Sequence, residues 1–153
     1  MLVGHSLGSN VAMHYAAQHP DVRALVLIDP GRLASHIEVA VERMAELAAK
    51  SREGIERVRD STIANNVAIG SSDLLKTVVR QIISSQDPEG YAATCEALCA
   101  ETHAYPNYAA TKCATVLIIG DQERISPLLR SDDMRKLIRG GDKDQIVRVE
   151  IVN

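Results

Sequence analysis

Apolar residues along the chain fall into two kinds of pattern. Short continuous runs occupy 1–3 (Met-Leu-Val), 24–28 (Ala-Leu-Val-Leu-Ile) and 114–119 (Ala-Thr-Val-Leu-Ile-Ile). They stop at Gly4, at Asp29-Pro30-Gly31 and at Gly120. Their length and their Gly/Pro boundaries favour strand over buried helix, and unbroken runs predict strands buried on both faces, as in a parallel sheet. A fourth segment, 146–152, alternates Val147, Val149 and Ile151 with Arg148 and Glu150. That period predicts a strand with one wet face, at a sheet edge.

The segments between keep helical spacing. Leu7, Val11 and Tyr15, with Ala12 and Ala16 alongside, predict a helix face that ends at Pro20. Ile37, Val41, Met44 and Leu47 predict another. Leu74, Leu75, Val78, Val79 and Ile82 predict a third, entered by Ser72-Asp73. Asp87-Pro88 reads as an N-cap with proline at the first helical position, ahead of Tyr91, Cys95, Leu98 and Cys99. Asn65-Asn66 and Gly70-Ser71-Ser72 break the run. A last helix opens at Ser126-Pro127, carries Met134, Leu137 and Ile138, and closes at Gly140-Gly141. The order is strand, helix, strand, helical insert, strand, helix, strand. It predicts an α/β fold with a mostly parallel sheet of about four strands. The divisions are 1–31 (first strand, helix, second strand), 32–112 (helical insert) and 113–153 (third strand, helix, last strand).

Composition narrows the partners. The chain has 153 residues, a length for which one domain is the expectation, and the core must be aliphatic because Phe and Trp are absent. A formal charge of -3 and 3% aromatic residues supply neither a basic field nor a stacking platform, so nucleic acid is not expected. No apolar run approaches the ~20 residues of a membrane helix, and no basic leader precedes an apolar stretch. Three cysteines are too few and too odd for a disulfide framework, and cytoplasmic residence follows as the expectation. Cys95, Cys99 and His103 could share one helical stripe, but no fourth ligand lies near. They read as part of a core face, and no metal and no cofactor are expected.

Chemistry concentrates in Gly4-His5-Ser6-Leu7-Gly8, a G-x-S-x-G placed between a strand and a helix. That context is what a nucleophile elbow requires. The glycines would let the chain turn tightly, the Ser6 hydroxyl would stand at a helix N-terminus, and the Leu7 N–H could donate to an oxyanion. A second group, Gly120 to Pro127, follows a buried strand, where an acid faces the crevice of an open α/β sheet. Glu123 and Asp121 both qualify by position as the carboxylate of a triad, and Asp29 is a third candidate. Asp121 and Asp29 read chiefly as turn residues.

Val3 to Ser9, followed by Ala12-Met-His-Tyr-Ala-Ala17, resembles the elbow of the α/β-hydrolase superfamily. Val116 to Gly120 through Ser126-Pro127 resembles that family's acid-bearing strand and loop. The resemblance covers the whole chain and implies a partial α/β-hydrolase fold with a helical cap. It assigns Ser6 as nucleophile, Leu7 to the oxyanion hole and Glu123 as the acid, where the family more often has Asp. Gln86 to Tyr91 with Cys95 to Leu98 is similar to the cap of 3-oxoadipate enol-lactonases. This implies a small-molecule ester or lactone substrate, with no cofactor. For an anionic lactone, Arg32 and Arg80 are candidates to meet the carboxylate, and solvated surface arginine is the plainer reading of both.

The family's triad runs Ser, acid, His. All five histidines here, the last being His103, precede Glu123. The resemblance also implies earlier strands and a second oxyanion donor, so the sequence reads as truncated at both ends relative to the family. His36 and His103 lie in the insert, His5 is the elbow's variable residue beside Ser6, and His14 and His19 lie down the following helix away from Ser6. The expectation is a hydrolase impaired as this chain, or alternatively a non-catalytic relative kept for binding. Oligomeric state is not legible.

Overall fold

The computed structural model describes residues 1–31, 38–102, 104–123, 128–140 and 142–152. Four strands, β1 (Leu2–His5), β2 (Ala24–Ile28), β3 (Ala114–Gly120) and β4 (Val147–Val152), form one sheet in the order β1-β2-β3-β4. Every pairing is parallel, with His5 beside Ile28, Ile28 beside Ile118, and Ile118 beside Glu150. Among the described residues six α-helices accompany them: α1 (Leu7–Gln18), α2 (Glu38–Arg52), α3 (Glu56–Asn66), α4 (Asp73–Ser84), α5 (Pro88–Cys99) and α6 (Leu128–Arg139). The fold is thus α/β with an all-parallel sheet, as the strand-helix order predicts. The chain forms two compact units, Met1–Arg32 with Tyr105–Asn153, and Leu33–Ala104.

In the sheet unit, Leu25, Leu27, Leu117, Ile119 and Val147 share one core with Ala12, Met13 and Ala16 of α1 and with Met134 and Ile138 of α6. Both helices therefore pack on one sheet face. The strands alternate in burial, and Val26, Val116 and Ile118 on the other face are only half-buried. This corrects the expectation of strands buried on both faces. An apolar run says that neither face repels a neighbour, not that both faces have one. β4 alternates as its sequence indicates and lies at an edge of the described sheet, with β1 at the other.

The face of α1 that docks also differs from the periodicity. Val11 is 65% exposed and Tyr15 48%, while Ser9, Asn10, Ala12, Met13 and Ala16 are buried. The turn into the helix decides this. Ser9 Oγ donates to Gly4 O at 2.9 Å, which rolls the 9-12-13-16 face toward the strands.

The helical unit has two small cores. Ile55, Val58, Ile63 and Ile83 form one, and Ala48, Ala92 and Cys95 form the other. Ser72 caps α4 by accepting from Leu75 N, and Asp87 caps α5 by accepting from Gly90 N at 2.6 Å, with Pro88 following. Arg52 of α2 donates to Glu89 and Glu96 of α5 at 2.6–2.9 Å, and Ser51 Oγ donates to Pro88 O. α4 is turned away from its apparent face. Leu74, Leu75, Val78 and Ile82 are exposed, and Val79 and Ile83 face α3. α3 carries so many polar residues that no periodicity singles it out.

Candidate active site

Ser6 follows the last residue of β1 and stands immediately before α1. Its backbone has φ 50° and ψ -119°, in the left-handed region that residues with a Cβ rarely adopt. Two contacts hold it there. Ser6 N donates to Ile28 O at 3.0 Å, which ties the turn to the end of β2, and Ser9 N donates to Ser6 O at 3.0 Å. Gly4 makes the turn possible. A Cβ at Gly4 would lie 2.5 Å from Gly8 O and 2.7 Å from Ser9 Cα, well inside contact distance. Gly8 is different, because a Cβ there meets nothing within 4 Å among the described residues. Among the described residues only the first glycine of the motif makes an approach that a Cβ would block.

The Ser6 side chain is exposed and makes no capping bond to α1. The hydroxyl therefore stands at the N-terminus of α1 without being spent on it. Leu7 is the first helical residue, so its N–H is among the four that an α-helix leaves without an internal acceptor. Those N–H groups and the positive end of the helix dipole favour a developing oxyanion beside Ser6.

The strand register places the acid candidates. Ser6, Asp29 and Ile119 each lie one residue beyond a register partner, so they are level across β1, β2 and β3. Two strand spacings put Ser6 and Ile119 roughly 10 Å apart, which leaves room for a side chain to reach between Ser6 and the turn after β3. Glu123 lies on that turn, half-buried, with its N–H donating to Gly120 O at 3.2 Å. It lines a small cavity of about 190 Å³ with Ile119, Gly120, Asp121 and Ile151. Asp121 N donates to Val152 O, which ties the turn to β4.

Asp29 also has positive φ, 41°, and its Oδ1 accepts from Gly120 N at 3.1 Å. Its carboxylate is thus a backbone clamp between the ends of β2 and β3, in keeping with a turn residue. The two non-glycine residues with positive φ among the described residues, Ser6 and Asp29, directly follow neighbouring strands. No sequence pattern marks the second.

Among the described histidines, His5 is exposed beside Ser6, His14 lies within α1, and His19 stacks on Tyr15 with ring centroids 3.8 Å apart. His36, His103 and Arg32 lie outside the described residues. Arg80, on α4, faces Asp60 at 3.9 Å in an exposed pair. Among the described residues no group of three His, Cys, Asp or Glu could hold a metal ion. Burial pushes the thiols of Cys95, Cys99 and Cys113 above the ordinary range, which disfavours their thiolate forms. No helix among the described residues is long and apolar enough to cross a membrane.

Residues 1–152 match the family model of the alpha/beta hydrolase fold, and the chain belongs to that family. Solved structures agree in fold. An enol-lactonase from Burkholderia xenovorans superposes with a TM-score of 0.78 at 20% identity, covering 99% of this chain and 56% of that one. A thermophilic esterase from Thermogutta terrifontis gives 0.75 at 24%, covering 98% and 55%. An esterase from Exiguobacterium antarcticum gives 0.81 at 15%, covering 100% and 57%. The chain thus spans little more than half the length of these structures. No curated protein matches it in sequence.

Proposed function

We propose that this chain carries the nucleophile and the acid of a serine hydrolase acting on a carboxylic ester or lactone. Ser6 Oγ attacks the carbonyl carbon, the Leu7 N–H receives the oxyanion, and Glu123 orients an imidazole that takes the Ser6 proton. The C–O bond to the leaving alcohol then breaks, the alcohol takes that proton, and water hydrolyses the acyl-serine. The observation that carries this reading is the backbone of Ser6. A φ of 50° on a residue with a side chain costs about 1–3 kcal/mol, and such strain collects at functional sites. The likeness to enol-lactonases in the segment 86–98 supports a lactone that bears a carboxylate.

The base is the weak element. Every histidine in the sequence precedes Glu123, and His14 and His19 lie along α1 away from its N-terminus. The 153-residue polypeptide by itself is expected to turn over an activated ester slowly. The second reading is a non-catalytic relative that binds without hydrolysing.

Labelling with a fluorophosphonate, with and without added imidazole, separates the two. Labelling at Ser6 that imidazole accelerates and Ser6→Ala abolishes supports the hydrolase. No labelling of a folded chain in either condition supports the binding protein. Ester turnover as fast as an intact esterase, lost in Ser6→Ala, would overturn the expectation of impaired activity.

A further inference from the structure

At the far end of α1 from Ser6, the sheet unit has a cleft of about 510 Å³ that none of the steps above uses. The 12 residues of α1, at about 1.5 Å each, put roughly 18 Å between its ends. The lining comes from the C-terminal end of α1 and from the residues leading into β2 and β3. Ala24 pairs with Ala114, so Arg23 and Lys112, just ahead of them, come from neighbouring strand entries.

The charge of the lining is of one sign. His19, Arg23 and Lys112 line the cleft, and among the described residues no carboxylate does, in a chain whose net charge is -3. Neither Arg23 nor Lys112 forms an ion pair with a described residue. The remaining lining is small and apolar, chiefly alanine with Pro20 and Val22. The carbonyls at the end of α1 oppose an anion with about half a unit of negative charge, which two full positive charges outweigh. The volume falls within the range of about 300–1,000 Å³ typical of small-molecule sites.

We propose that this cleft binds a small organic anion, its carboxylate or phosphate meeting Arg23 and Lys112 and its apolar body lying on the alanines, Pro20 and Val22. The site is separate from the Ser6 elbow and does not depend on the chain being a hydrolase. Both head groups offer the same chemistry, an anion with several acceptor oxygens, to a guanidinium and an ammonium.

The test is an NMR titration of the full isotope-labelled chain with hexanoate, hexyl phosphate and the uncharged control hexanol. Hexanoate, hexyl phosphate or both should shift the amides of 16–23 and 110–114, and which of the two binds tighter identifies the head group. Hexanol, and the anions with the Arg23→Gln/Lys112→Gln double variant, should bind about tenfold more weakly, as expected when charge-assisted contacts are lost. Equal binding of hexanol and the anions, unchanged binding by the variant, or shifts gathered at Ser6 to Gly8 would each overturn the proposal. Cys113 lines the same cleft, which provides a readout on the unmodified chain. Hexanoate or hexyl phosphate should slow its alkylation by iodoacetamide, read by peptide mass spectrometry, and hexanol should not. Equal protection by all three would overturn the proposal as well.

Discussion

Helices α1 and α5 begin by opposite means. α1 starts from Ser6 at φ 50°, with no side-chain cap and with Gly4 pressed against the backbone of its first turn. α5 starts from Asp87 in extended backbone, whose carboxylate accepts from Gly90 N, with proline next. In the sheet unit the turn is held by close backbone approach and strand hydrogen bonds, so the serine hydroxyl remains available. In the helical unit a side chain satisfies the helix end and is spent in doing so. The contrast separates a helix start that can serve chemistry from one that serves stability.

The sharpest way to break this comparison is Gly4→Ala. A Cβ at 2.5 Å from backbone cannot be relieved by a rotamer change, and a loss of about 3 kcal/mol or more is expected in urea unfolding. Gly8→Ala should change stability by less than about 1 kcal/mol, and in the stabilising direction, because alanine is the better helix former. Similar losses for both would refute the reading of the elbow. Leu27→Ala, at a fully buried position in the sheet core, should cost about 2–5 kcal/mol. Asp87→Ala should cost about 1 kcal/mol through loss of the cap, and a neutral result would put the start of α5 under the control of packing instead.

The smallest effect concerns Arg52. Its hydrogen bonds hold the carboxyls of Glu89 and Glu96 below the ordinary value of 4.5. A carboxylate with a depressed folded-state pKa stabilises above its unfolded pKa and loses that contribution as pH falls through the folded value. The difference in melting temperature between the parent chain and Arg52→Gln should therefore be present at pH 7 and shrink below about pH 4.5. All three groups are exposed, so the difference at pH 7 is itself small. A difference independent of pH would assign the effect of Arg52 to packing.

Much of the architecture is legible in the residues. Short apolar runs ending at glycine or proline mark β1 to β3, and Ser72 and Asp87 mark the starts of α4 and α5. The elbow is legible because glycine, serine and a strand-helix junction occur together at Gly4 and Ser6. α3 is not, since its polar composition hides its period. The clamp from Asp29 to Gly120 is not either, since the two residues are 91 positions apart.

What the sequence by itself determined is which segments are strand and, α3 apart, which are helix, their order, and the position of the serine. These are local matters of propensity, period and turn chemistry, decided within a few residues. Only the tertiary structure decided which face of each element is buried. Val11 and Tyr15 look like the core face of α1, yet the contact of Ser9 with Gly4 turns the helix onto Ala12, Met13 and Ala16. The same holds for the exposed stripe of α4 and for the half-buried face of the sheet. The cleft of Arg23 and Lys112 likewise exists only because β2 and β3 pair in register. A periodic pattern states that an element has an apolar side, and burial then depends on which neighbour arrives and how the turn before it is aimed.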